Sequence, residues 1–116
     1  MIETTIENGI LIVDVTVKKL DMHVASDFQH AFSDLISGGG RMVLMDLSQV
    51  VFMDSSGLAA FVFCFQATRL KRELAMCNVQ ERVLQLFKLT RIDQYIRMYT
   101  TRAEALNALN SDEATP

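Results

Sequence analysis

The sequence predicts an α/β protein: a mainly parallel sheet of four to five strands, an N-terminal antiparallel hairpin and about four helices. Three observations predict it. Two strand-like runs, residues 2–7 and 10–17, flank Asn8-Gly9, and Asn-Gly is a strong short hairpin signal because both residues tolerate positive φ. Beyond residue 21, short apolar runs alternate with segments of helical spacing, a pattern that demands right-handed crossovers between parallel strands. Helix-start chemistry recurs at Asp54-Ser55-Ser56-Gly57 and at Thr101-Arg102-Ala103-Glu104.

The elements follow in order. In the second hairpin strand Ile10 and Ile12 oppose Leu11 and Val13, Val15 and Val17 continue one face, and Lys18-Lys19 ends it. Asp21 opens the next connection as a turn or cap residue. Val24, Phe28, Phe32 and Leu35 recur at helical spacing, and Gly38-Gly39-Gly40 reads as a C-cap and turn. No Lys-Ser/Thr follows those glycines, so they are no phosphate loop. Residues 41–47 are nearly continuously apolar, which suits a central strand covered on both faces.

A second helix is expected from Gly57 to about Arg72. Leu58, Phe61, Val62 and Phe65 form its core face, and Arg69, Lys71 and Arg72 complement its dipole. Phe63 points away from that face, either as a filled core position or as a partly exposed docking contact. A strand centred on Leu74-Ala75-Met76-Cys77 follows. A third helix is capped by Asn78, with Glu81 three residues on, and carries Val79, Val83, Leu86 and Phe87 as its stripe. Residues 90–93 are a connector, and Ile92 with residues 95–99 supplies the last strand. Ala105, Leu106 and Leu109 give the final helix its apolar side. One domain over 1–110 and a polar, frayed tail over 111–116 are expected.

Composition excludes several function classes. The chain has 116 residues, half of them hydrophobic, and a net charge of −3. The acidic balance disfavours nucleic acid and anionic membranes, whose phosphates need a basic surface. The longest apolar run, residues 58–65, is too short for membrane insertion. Met1 is followed by Ile2-Glu3-Thr4, with no signal-peptide pattern, and a cytoplasmic protein is expected. Cys64 and Cys77 lie in apolar runs and read as buried reduced thiols. His23 and His30 are seven residues apart, a poor spacing for one metal ion, and neither is placed to activate a serine. No cofactor fingerprint is present, so an enzyme is not expected.

The residues Asp46-Leu47-Ser48 and Phe52-Met53-Asp54-Ser55-Ser56-Gly57-Leu58 resemble the signature of STAS domains, most closely the bacterial anti-sigma factor antagonists. The element order agrees over residues 4–109. The resemblance implies a partner-switching protein that binds an anti-sigma factor which is also a serine kinase. It implies that kinase phosphorylates Ser56, or less readily Ser55, which releases the protein, and that a PPM-type serine phosphatase restores it. By the same resemblance Asp21, Asp54, Ser55, Ser56, Gly57, Leu58 and Phe63 lie at the partner surface, and a weak homodimer is left open. A non-phosphorylated scaffold subunit of a stressosome-like or lipid-transport assembly is the second reading. Two departures stand out: Lys18-Lys19-Leu20-Asp21 and Thr90-Arg91-Ile92-Asp93 both lack a glycine common in the family.

Overall fold

A computed structural model describes residues 1–37, 42–68 and 73–114, with side chains up to Asn110. Hairpin strands β1 (Ile2–Glu7) and β2 (Ile10–Val15) are antiparallel. Asn8 and Gly9 turn between them at φ 52° and 79°, the positive pair that a two-residue hairpin loop requires. The strand does not continue to Val17. After Thr16 the chain leaves the sheet, and Lys19–Leu20 forms a separate short strand, β3. Helix α1 (Ala25–Ile36) buries Phe28 and Phe32. The expected glycine turn at 38–40, with Arg41, lies outside the described residues.

Strand β4 (Val43–Asp46) is buried throughout. It is followed by the two-residue β5 (Phe52–Met53), α2 (Ser55–Thr68) and β6 (Leu74–Cys77). The expected basic turn at Arg69, Lys71 and Arg72 lies outside the described residues. Helix α3 (Glu81–Leu89) leads to a 3₁₀ turn at Ile92–Gln94, then β7 (Arg97–Tyr99) and α4 (Arg102–Ala114). The main sheet runs β1-β2-β4-β6-β7, parallel except for the hairpin, and β3 pairs with β5 as a second, parallel sheet of two strands. The expected α/β architecture is therefore present, with one small sheet added.

Strand alternation divides the core in two. Leu11, Val13, Val43, Met45, Leu74 and Met76 face one side of the sheet. That side is covered by α1, α2 and α3, where the Phe61 and Phe87 rings meet at 5.0 Å. Ile10, Ile12, Leu44, Ala75 and Cys77 face the other side and meet Ala105 and Leu109 of α4. Cys64 and Cys77 are free and buried, and burial pushes both thiols up to about 12.

Four local expectations are corrected. The buried face of α2 is Gly57, Ala60, Phe61, Cys64 and Thr68. Leu58 and Phe65 only pack on its flank, and Val62 is half-buried. A helix apolar nearly all round carries no phase information, so the sheet chooses the face. Asn78 does not cap α3. It sits at φ 57°, a left-handed turn that asparagine tolerates, and Gln80 precedes the helix. Arg91 takes φ 64°, a left-handed conformation, in the connector that lacks the glycine. Ile92 belongs to the 3₁₀ turn rather than to the last strand. The tail expected to be frayed is helical as far as Ala114.

On the α4 face, Arg102 clasps two strands. Its guanidinium pairs with Asp14 of β2 and, at 3.1 Å, with Asp46 of β4. Asn78 donates to the same Asp46 carboxylate at 3.1 Å. Burial raises the Asp14 carboxyl, and Arg102 offsets this only in part. Burial also opposes Asp46 ionisation, but the Ser48 backbone and side chain, Asn78 and Arg102 outweigh it and hold that carboxyl low.

Candidate functional site

The Asp54-Ser55-Ser56-Gly57 stretch is built by two chain segments far apart in sequence. Val51 and Phe52 donate to the Lys18 carbonyl at 2.8 and 3.2 Å, and Asp54 N–H donates to the Leu20 carbonyl at 3.3 Å. The β3–β5 pairing, Lys19 with Phe52 and Leu20 with Met53, carries these bonds. From the far side of the loop, Gln80 donates to the Ser48 carbonyl and the Arg82 guanidinium lies 5.6 Å over the Phe52 ring. The last contact is a cation–π arrangement.

Asp54 is the residue that starts α2. Its carbonyl accepts Leu58 N–H at 2.9 Å, and its Oδ1 accepts Gly57 N–H at 2.9 Å. This satisfies an orphan donor of the first turn. Oδ2 reaches out of the helix and accepts Met22 N–H at 3.0 Å. One carboxylate thus caps the helix and ties the β3–α1 turn to it. The Gly57 bond, followed by the Met22 and Ser56 amides, holds the Asp54 carboxyl below the usual carboxylate range.

Gly57 is required by space. A Cβ placed there would lie 1.8 Å from the Leu20 carbonyl oxygen and 2.7 Å from its carbon. The helix start rests directly on the β3 backbone, and any side chain would push the two apart.

Between these two anchors the serines occupy the first two helical positions. Ser55 is exposed and Ser56 half-buried. Neither hydroxyl makes a hydrogen bond among the described residues, so the serines do not supply the cap. Both sit where backbone N–H groups and the helix dipole favour an anion. Along α2 the exposed stripe continues through Ala59, Phe63 and Gln66. Phe63 is 42% exposed, Val51 41% and Met22 68%. The serines are therefore flanked by accessible apolar side chains.

Of the residues singled out in sequence, Asp54, Ser55, Ser56 and Gly57 converge at this helix start, and Leu58 is half-buried beneath it. Phe63 lies two turns along. Asp21 stands next to Met22, but its carboxylate accepts His23 N–H at 3.0 Å and its carbonyl accepts Val24 and Ala25. It plays the turn role, adjacent to the serines through the backbone. His23 and His30 are both exposed. No cluster of three metal-ligating side chains occurs among the described residues. No helix among them is long and apolar enough to cross a membrane. Sequence reasoning missed Leu20, whose carbonyl sets the glycine, and Met22, whose N–H anchors the cap. Backbone roles leave no residue-type signal.

A sheet parallel but for one antiparallel edge strand, with helices on both faces, is the architecture of a STAS domain. The chain belongs to that family, whose model, described as "STAS domain", matches residues 1–105. It is 28% identical over 94 residues to the anti-sigma-B factor antagonist of Listeria monocytogenes, covering 79% of this chain and 82% of that one. An anti-sigma-factor antagonist domain from Planctomyces limnophilus superposes with a TM-score of 0.85 at 24% identity, covering 94% and 97% of the two chains. The Bacillus cell fate determinant SpoIIAA in its phosphorylated form gives a TM-score of 0.68 at 16% identity, covering 94% and 99%.

Proposed function

We propose that this chain is an anti-sigma factor antagonist switched by phosphorylation of Ser56, with Ser55 the alternative acceptor. The carrying observation is the geometry around the serines. Two hydroxyls without a hydrogen bond among the described residues stand at the start of α2, framed by Asp54 and Gly57 and flanked by exposed Met22, Val51 and Phe63. The likeness to anti-sigma-B factor antagonists and to a protein known in a phosphorylated form supports the same reading.

Unmodified, the helix start and its apolar rim dock on an anti-sigma factor that is also the serine kinase. A phosphate on Ser56 brings about −1.5 to −2 charges into that contact, beside the ionised Asp54. The helix N-terminus tolerates the anion within the folded chain, so no refolding is needed. The partner surface, which must desolvate and approach two negative groups, does not tolerate it. A penalty of about 3 kcal/mol lowers affinity roughly a hundredfold, enough to release the complex. A PPM-type phosphatase resets the state. In this reading the chain is a substrate and ligand rather than a catalyst, and it works in the bacterial cytoplasm.

Phosphopeptide mapping of the protein isolated from its host, before and after stress, tests the proposal. Condition-dependent phosphate on Ser56 is the expected result. Phosphate confined to Ser55 would move the acceptor by one residue. A chain never phosphorylated and recovered in a stable assembly would overturn the switch in favour of a scaffold role.

A further inference from the structure

We propose that the free edge of β1 pairs with the same edge of a second copy, joining two five-stranded sheets into one. Leu11 N–H donates to the Met42 carbonyl at 3.0 Å, so odd-numbered residues of β2 turn their backbone groups towards β4. The even ones turn towards β1, as does Thr16, whose N–H donates to Met1 O at 2.8 Å. Given the register Glu3–Asp14, Thr5–Ile12 and Glu7–Ile10, the N–H and C=O groups of Ile2, Thr4 and Ile6 point away from the sheet. Among the described residues no strand lies beyond them. Residues 3–7 are all exposed, and Ile6 is 72% exposed. The strand carries no proline, lysine or bulge, and its only charged residues are Glu3 and Glu7.

The occupant follows from the side chains. Antiparallel pairing must match outward-facing residues with outward-facing residues. With a two-fold axis at Thr4, Thr4 meets Thr4, and Ile2 meets Ile6 of the second copy on both sides of the axis. All three outward residues are then hydrogen-bonded, the isoleucines cover one another, and Glu3 faces Thr5 rather than a carboxylate. A shift by one residue about the axis, to Thr5, sets Glu3 against Glu7 twice, and opposed like charges disfavour it. The edge is thus self-complementary in one register, the requirement for a closed two-fold interface. It lies two strands away from β4, while the serines sit at the start of α2, after β5.

Sedimentation velocity from ~10 μM to ~1 mM spans the range of a weak dimer. Wild-type chain is expected to dimerise reversibly. Thr4→Pro removes an outward N–H without touching the β1–β2 ladder, and proline is tolerated on an edge. It should weaken dimerisation about tenfold or more at unchanged thermal stability. Thr4→Cys should cross-link under mild oxidant, because directly paired Cα atoms lie about 5.5 Å apart, within disulfide range. Thr5→Cys should not cross-link, and the native cysteines are buried and do not compete. A monomer throughout, a dimer indifferent to Thr4→Pro, or cross-linking through Thr5→Cys in place of Thr4→Cys would each overturn the proposal.

Discussion

Replacing Gly57 with alanine separates helix propensity from packing at the serine loop. Propensity alone favours the variant, since alanine is better than glycine inside a helix by about 1 kcal/mol. Packing opposes it. The new Cβ would lie 1.8 Å from the Leu20 carbonyl oxygen and 2.7 Å from its carbon, with the Met53 side chain 3.1 Å away on the other side. The first two contacts are backbone and cannot rotate aside. To reach ordinary contact distance, α2 and β3 must separate by more than an ångström, which stretches the Asp54–Leu20 bond, already 3.3 Å, and the Met22–Asp54 bond. Overpacking of this kind costs about 1–3 kcal/mol and occasionally more. Two immovable backbone contacts put the cost at the upper end, about 3 kcal/mol, so after the propensity gain of about 1 kcal/mol we expect a net loss of about 2 kcal/mol by urea denaturation, read as a lower midpoint at an unchanged slope. Partner binding should fall further, because the displaced segment carries Met22. A Gly57→Ala chain as stable as wild type would refute the close-approach argument.

Asp54→Ala should lower thermal stability at neutral pH. Because the folded carboxyl is held low, its contribution is present above the ordinary carboxylate range and lost as pH falls through the folded value, so variant and wild-type melting curves should converge in acid. Arg102→Met leaves Asp14 and the buried Asp46 facing each other without their cation. With the arginine about one-third exposed, a loss of about 1–3 kcal/mol is expected at pH 7 and little of it where both carboxyls are protonated, by urea denaturation across pH. The double change Ser55→Ala, Ser56→Ala should stay within about 0.5 kcal/mol of wild type while abolishing phosphate incorporation by the cognate kinase. Phe63→Ala should weaken docking about tenfold, or ~1.4 kcal/mol, by titration calorimetry, with little change in melting temperature because the ring is 42% exposed.

Which parts of the molecule were legible follows from how far each signal reaches along the chain. Asn8-Gly9 states its backbone conformation locally, and the turn is there. The Thr101–Glu104 cap is also local: Glu104 N–H donates to Thr101 Oγ1 at 3.1 Å. Its reciprocal arm lands one residue early, with Glu104 accepting from Thr100 N–H. Strands β3 and β5 have two residues each, too few to show a period, and exist only because each supplies the other's partner. Asn78 carries a cap-like spacing to Glu81, yet its amide is taken up by Asp46, 32 positions away. At the site, residue types announced the serines, the aspartate and the glycine. The reason for the glycine could not be read, because it is the backbone of Leu20.

The four residues at the start of α2 divide into a frame and its contents. Asp54 and Gly57 answer to the fold, one as cap and tether, the other as clearance for a carbonyl. The hydroxyls of Ser55 and Ser56 make no hydrogen bond among the described residues. The two pairs are therefore free to drift apart over evolutionary time. A descendant could exchange both serines for alanines and keep its sheet and helices intact. In the function proposed above, the capacity to be switched rests on the two positions between, while the frame serves the fold.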